Sequence, residues 1–339
     1  MTQGVATADP ASTPAAAPRR PVRMRWGATI SAAFVVTLVR PVSWALGLLG
    51  FLAGGGLLVV AAPIVVLPTP TGVQNALGGP VSTLVFNAPS SGLVLLIAAS
   101  VIGGLLAIVA GTLVGAWAER QSIEVALDAA ADEGLVVPPP DLVGAPGALR
   151  VTAIRLLALV PVVAALAIGW QQLYNATYHE LILPEDLVTP LPIRVLGDVP
   201  WLLIGIAATW LLSDAAAAVG VRRLVLERRP VLVAWLLGWA DLVRRPFRVV
   251  GTALVGTGVM VLLLALPLLA TQVGWDRVRL VVLEGNDPVL ALVTVVTWVA
   301  IWLASLVLAG VAAAFRAAAF TFELPRGAAV RHRSGPPRV

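Results

Sequence analysis

Apolar positions in this chain neither alternate nor recur every third or fourth residue. They run on for twenty or more residues, separated by short polar stretches. Six such runs lie near 43–67, 92–117, 152–172, 199–220, 249–272 and 289–312, and each meets the roughly 20 residues a helix needs to cross a bilayer. Between Pro41 and Ala118 no side chain is ionisable. A soluble fold could not hide so long an apolar stretch, whereas lipid can. The pattern predicts an all-α integral membrane protein with six transmembrane helices.

Two shorter apolar pieces, Gly27 to Val39 and Val231 to Val243, precede the first and fifth runs. Both are too short to span and have Arg close to both ends, so they are expected as elbow helices lying in the membrane interface. A signal-peptide reading of Gly27 to Val39 competes, but Arg40 and Pro41 follow it in place of a small-residue cleavage site. Beyond the second run, Ile123, Ala126, Leu127 and Ala130 share one helical side, while Glu124, Asp128 and Asp132 fall mostly on the other. That membrane helix is therefore expected to continue into water, with Arg120 and Glu124 placed to pair four residues apart. Val136 to Gly147, with the run PPP and two glycines, reads as a stiff connector. The chain accordingly divides into a disordered cytoplasmic tail over 1–25, a membrane domain over 26–323, and a basic tail over 324–339.

A uniform shift lays Leu38, Val39 and Arg40 on Leu242, Val243 and Arg244, with Gly47 on Gly251, Gly54 on Gly258 and Pro63 on Pro267. This is the signature of an internal repeat. Each outward-going run carries an interior proline, Pro63, Pro161 or Pro267, expected to kink its helix. Each inward-going run leaves through small residues and then Arg, in GAWAER, DAAAAVGVRR and GVAAAFR. Together these features predict three hairpins of two helices.

Composition sharpens the picture. With 59% hydrophobic residues, 12% charged and a mean hydropathy of +0.93, the chain lies far from soluble proteins. All 23 basic residues are Arg, as high-GC bacterial coding favours, and 20 of them fall at the N terminus, the two long basic loops and the C terminus. Only Arg194, Arg277 and Arg279 lie on the other side, which predicts both termini in the cytoplasm of a bacterium and insertion in its plasma membrane. Trp170, Trp201 and Trp275 fall at the outer helix ends, and Trp44 and Trp117 near the inner ones, as interfacial belts require. The positive net charge does not point to nucleic acid, because no aromatic and basic patch is interleaved to stack bases. Cys is absent, which excludes disulfides and thiolate chemistry.

The stretch DAAAAVGVRRLVLERRPVLVAWLLGWADLVRRP combines an Ala-rich inward helix, an Arg-rich turn, an amphipathic elbow and a new span. In this it resembles a loose group of bacterial six-helix membrane proteins, among them the membrane domain that accompanies some glycerophosphodiester phosphodiesterases. The soluble catalytic barrel of those enzymes, with its acidic and His metal ligands, has no counterpart here. The resemblance implies a fold and no activity.

Asp214 is the most informative single residue, since a carboxylate within a span costs about 2.5–3.5 kcal/mol and needs a partner or a task. Arg155 is the first expected partner and Arg316 the second. An ion pair fixing helix register is the leading expectation, with a proton or substrate relay as the alternative. His179, Glu180, Glu185 and Asp186 form the one cluster resembling a metal or acid–base site, but their spacing matches no established ligand set. Gly50 with Gly54, and Gly111 with Gly115, fit close helix contact in lipid. No cofactor motif and no nucleophile–base pair is found. The expected function is a non-enzymatic scaffold or accessory subunit that binds lipid or a membrane partner, its Arg-rich face meeting anionic headgroups. The alternative is a permease for an apolar or lipid-like solute.

Overall fold

The computed structural model describes residues 25–65, 71–72, 75, 91–133, 146–182, 189–285 and 287–323. The expected terminal tails apart from Arg25, the connector apart from Pro146 and Gly147, and most of the first outer loop lie outside these residues. Among the described residues the chain is helical almost throughout and contains no strand. Six helical stretches are long and apolar enough to cross a membrane.

The chain opens with α1 (Trp26–Val39) and α2 (Val42–Phe51), a π-helical segment (Leu52–Gly56) and α3 (Leu57–Ala61). Then come α4 (Ser91–Asp132), α5 (Ala148–Leu157), α6 (Leu159–Ile182) and the short α7 (Leu191–Asp198). The last four are α8 (Pro200–Glu227), α9 (Val231–Arg244), α10 (Pro246–Glu284) and α11 (Pro288–Glu323). Proline opens α8, α10 and α11, where its missing N–H costs nothing and its fixed φ suits the first turn. Asp287 caps α11 by accepting from Val289 N at 2.9 Å and Leu290 N at 3.2 Å. At the end of α8, Arg228 adopts a left-handed φ of 54° and Arg229 N donates back to Arg223 O at 3.4 Å. That closure usually recruits glycine.

Several helices outrun the apolar runs that announce them. α4 continues to Asp132, burying Ile123, Ala126, Leu127 and Ala130 along the expected side. α10 and α11 extend to Glu284 and Glu323, because a helical ladder does not stop where hydrophobicity does. The third span is broken at Ala158 between α5 and α6. Pro161 lies just past the break and has no N–H for the carbonyl of Leu157.

Pro63 does not kink a helix. The first span ends at Ala61, so Pro63 stands in the turn beyond it. The interruption of that span comes instead from the π segment, where Gly55 has a φ of 100°, a conformation without strain for glycine alone. α10, by contrast, runs on through Pro267.

Three buried clusters gather at the basic end of the bundle. Ala32, Ala33 and Val36 of α1 meet Ala126 and Ala130 of α4 and Phe315 and Ala319 of α11. Ile123, Val151, Ile154, Val221 and Leu224 join α4, α5 and α8 beneath Ala234 of α9. Val249 and Ala253 of α10 meet Ala215 and Val219 of α8 around Phe320. Glycine permits the closest crossings. A Cβ on Gly47 would sit 2.7 Å from the backbone N of Ala314, while one on Gly310 would sit 2.5 Å from the carbonyl of Trp44. A second reciprocal crossing places Gly220 against the Ala234 carbonyl and Gly238 against Gly220, joining α8 to α9. Away from this end the helices show their Leu, Val and Ile side chains outward, as Leu95, Leu106, Leu262 and Leu266 do.

α1 lies along the basic end, its Trp26 Nε1 donating to Thr252 Oγ1 of α10 at 3.1 Å. Arg40, beyond its C terminus, pairs with Asp132 at the end of α4. α9 is held to α8 by Arg223, whose Nε and Nη2 reach Asp241 Oδ2 at 2.8 and 2.5 Å. These two helices are the pieces too short to span.

Candidate functional site

Just above the packed clusters, five ionisable side chains from four helices form one alternating chain of charge. Arg316 of α11 donates through Nη2 to Asp214 Oδ2 of α8. Asp214 Oδ1 accepts from Arg155 Nη1 of α5 at 2.6 Å. Arg155 turns its Nε and Nη2 to Glu119 of α4, at 2.8 and 2.6 Å. Glu119 Oε1 also accepts from Arg222 Nη1, about two turns further along α8 than Asp214. The two-pronged Arg155–Glu119 contact uses the planar guanidinium fork that lysine lacks.

Arg222 is the most enclosed member, at 1% exposure. Its remaining contacts are the carbonyls of Ala218 at 3.0 Å and Ala317 at 3.1 Å. The ring of Phe320 lies 5.7 Å from Arg222 and 5.9 Å from Arg316, within reach of a cation–π contact to each. Beside the network, Ser213 Oγ donates to the Ala158 carbonyl at 2.5 Å. That bond fastens α8 to the break between α5 and α6.

The network forms the floor of a cavity of about 660 Å³, a size common for small-molecule sites. All six spanning stretches contribute to its wall. Above the charges the lining is apolar, supplied by Phe51, Val59, Trp210, Met260, Leu264 and Leu268, with the π segment along one side. The site is thus a greasy chamber between helices that ends on a set of fixed charges.

The glycines proposed for helix contact divide. Gly111 and Gly115 face the first span: a Cβ on Gly111 would stand 2.7 Å from the Ala53 carbonyl, and one on Gly115 3.7 Å from the Ala53 side chain. Gly50 lies opposite Ala118 at 3.8 Å. Gly54 does not join them, since a Cβ there would meet nothing within 4 Å. The π segment rotates it off the face that the spacing from Gly50 assigns to it. Asp214 also stands further from its helix end than the apolar run suggests. α8 continues to Glu227, which is about 20 Å beyond it at 1.5 Å per residue.

His179 and Glu180, adjacent on α6, diverge: His179 is exposed while Glu180 is buried against Arg194 of α7. Glu185 and Asp186 lie outside the described residues. No group of three potential metal ligands occurs among the described residues.

Glu119 and Arg222 are the members that the sequence does not single out. Both fall in the exit sequences GAWAER and DAAAAVGVRR, which read as charges emerging into water. One signal was available. Ala215 to Ala218 and Gly220, just before Arg222, are too small to shield a helix from its neighbours, so close packing there buries the adjoining arginine as well.

Neither a family model nor a curated protein nor a solved structure matches this chain. What the site can do therefore rests on its own geometry.

Proposed function

We propose that this chain is a multi-pass protein of a bacterial plasma membrane that holds a lipid-like molecule between its helices, acting as a non-enzymatic scaffold or accessory subunit. The spans run as three hairpins with both termini in the cytoplasm. In this orientation α1 and α9 lie at the inner interface, where their flanking arginines meet anionic headgroups. The arginine distribution supports the orientation, and the contacts of α2 with α4, α6 with α8 and α10 with α11 support the hairpins.

One observation carries the functional reading: an apolar chamber of about 660 Å³ walled by all six spans. Purification from native membranes in a mild detergent, followed by mass spectrometry of bound lipid, tests it. The wild type is expected to retain a stoichiometric lipid. Ala313→Phe, which fills the chamber from α11, is expected to lose that lipid while staying monodisperse. Equal retention by both would refute binding at this place.

A second reading, passage of a lipid-like solute, draws on a specific feature. The first span is interrupted at Gly55 directly beside the chamber, and broken helices beside a site recur in transporters. Movement of a fluorescent lipid between leaflets of reconstituted vesicles separates carrier from scaffold.

A further inference from the structure

The chamber's floor carries more positive than negative charge. Among the residues lining it, Arg155, Arg222 and Arg316 face only Glu119 and Asp214, which leaves one positive charge over. Surrounding charges do not cancel it. Arg120 is occupied with Glu124 on its own helix at 3.0 Å, Arg223 with Asp241, and Glu227 is shared by Arg223 and Arg229, the latter at 3.5 Å. Arg248 pairs with Glu323 at 2.7 Å. Each nearby carboxylate thus already has its own cation.

Donor capacity is also left over. The Nε of Arg222 and the Nε of Arg316 are buried and have no hydrogen-bond partner among the described residues. A buried donor without an acceptor is costly, and an uncompensated charge within a span costs more. The charge surplus is met by an acceptor carrying one negative charge, brought from the chamber side to Arg316, whose side chain keeps 19% of its surface exposed. The lining above the floor is apolar and adjoins lipid, so the rest of such a molecule is hydrocarbon.

We infer that the chamber binds an amphiphile with a single anionic headgroup, a carboxylate or phosphate seated on Arg316 above the enclosed charge of Arg222, and a hydrocarbon chain lying along Phe51, Leu264 and Leu268. This rests on the lipid-binding role proposed above and specifies its ligand. Arg155 is held by Glu119 and Asp214 and positions the floor, Arg222 supplies charge from beneath it, and Arg316 contacts the headgroup.

The experiment uses the full-length protein in a non-ionic detergent and three probes brominated on the same acyl chain: a fatty acid, a lysophosphatidate and the matching fatty alcohol. Trp210 lines the chamber, so bromine in the bound chain quenches its fluorescence, and Trp210→Phe identifies that part of the signal. Both anions are expected to bind on the order of tenfold to a hundredfold more tightly than the alcohol, the worth of a charge-assisted hydrogen bond. The ratio between acid and lysophosphatidate tells a carboxylate ligand from a phosphate one. Inorganic phosphate alone is expected not to displace either. Arg316→Gln should weaken anion binding more than alcohol binding and so shrink the anion preference. If acid, phosphate and alcohol bind equally, headgroup selection is overturned and chamber binding stands. If none of them quenches Trp210, both are overturned. Displacement by inorganic phosphate would make the site an ion site without need of a chain, which also overturns the inference. The wild-type comparison of charged with uncharged probes decides the matter even where Arg316→Gln fails to fold.

Discussion

Replacing Asp214 by alanine perturbs the centre of the charge network. Its two carboxylate oxygens each serve a different arginine, Arg155 on α5 and Arg316 on α11, so the change severs α8 from two neighbours at once. It also raises the net charge of the five-residue network from one positive to two. Removing one member of a buried pair costs about 3–5 kcal/mol. These side chains keep between 19% and 23% of their surface exposed, and the residual solvation places the cost at the lower end, about 3 kcal/mol. At about 2–4 °C per kcal/mol for a large domain, the midpoint falls by roughly 6–12 °C. The assay is the monodisperse fraction after heating in detergent, read by size exclusion. Arg155→Ala should fall at least as far, since Arg155 also holds Glu119. Arg316→Ala should cost less, because it leaves the network neutral with Arg155 still on Asp214. In the double mutant Asp214→Ala with Arg316→Ala, the losses should fail to add, with a coupling of about 0.5–3 kcal/mol. Midpoints for Asp214→Ala and Arg155→Ala that match the wild type would refute the structural role of the network.

Other outcomes rest on the packing and the charges. Gly310→Leu should abolish accumulation of the monodisperse protein, because its side chain has only the Trp44 carbonyl and Leu48 to move into, whereas Gly54→Leu should be tolerated. Arg223→Ala should destabilise by about 2–3 kcal/mol by stranding the buried Asp241, measured by the same heating assay. Arg40→Ala should change the midpoint little, its ion pair with Asp132 being largely exposed and worth less than about 1 kcal/mol. With no native Cys to interfere, Ser91→Cys should react with an impermeant thiol reagent from outside intact cells and Ser334→Cys should not. Labelling of Ser334→Cys from outside would reverse the proposed orientation.

The spans are legible in the sequence because uninterrupted hydrophobicity has one physical use at that length. The short helices α1 and α9 are legible for the converse reason, being apolar but too short to cross. What escapes depends on neighbours the sequence does not name. Glu119 and Arg222 look like surface charges until α5 and α11, each packed on both α4 and α8, bring those two helices together. The break in the first span looks like proline's doing, since Pro63 is the obvious breaker. The Gly54–Gly56 run achieves it instead, through one left-handed residue at Gly55. Gly54 keeps the right spacing from Gly50, yet a π turn shifts register by a residue's worth of rotation and carries it off the contact face. Gly47 and Gly310, the closest crossing between α2 and α11, share no local motif at all.

That crossing has a bearing on biosynthesis. α1 and α2 both dock on α11, the last of the described helices to be made, and Arg316 on that helix supplies one link of the charge chain. Translation at about 5–20 residues per second separates Phe51 from Glu323 by tens of seconds. Throughout that wait the opening helices sit in the bilayer without their principal neighbour, and Asp214 without one of its two cations. A message cut short before Pro288 therefore yields a product whose opening helices lack their principal neighbour, and quality-control proteases should clear it faster than the full chain.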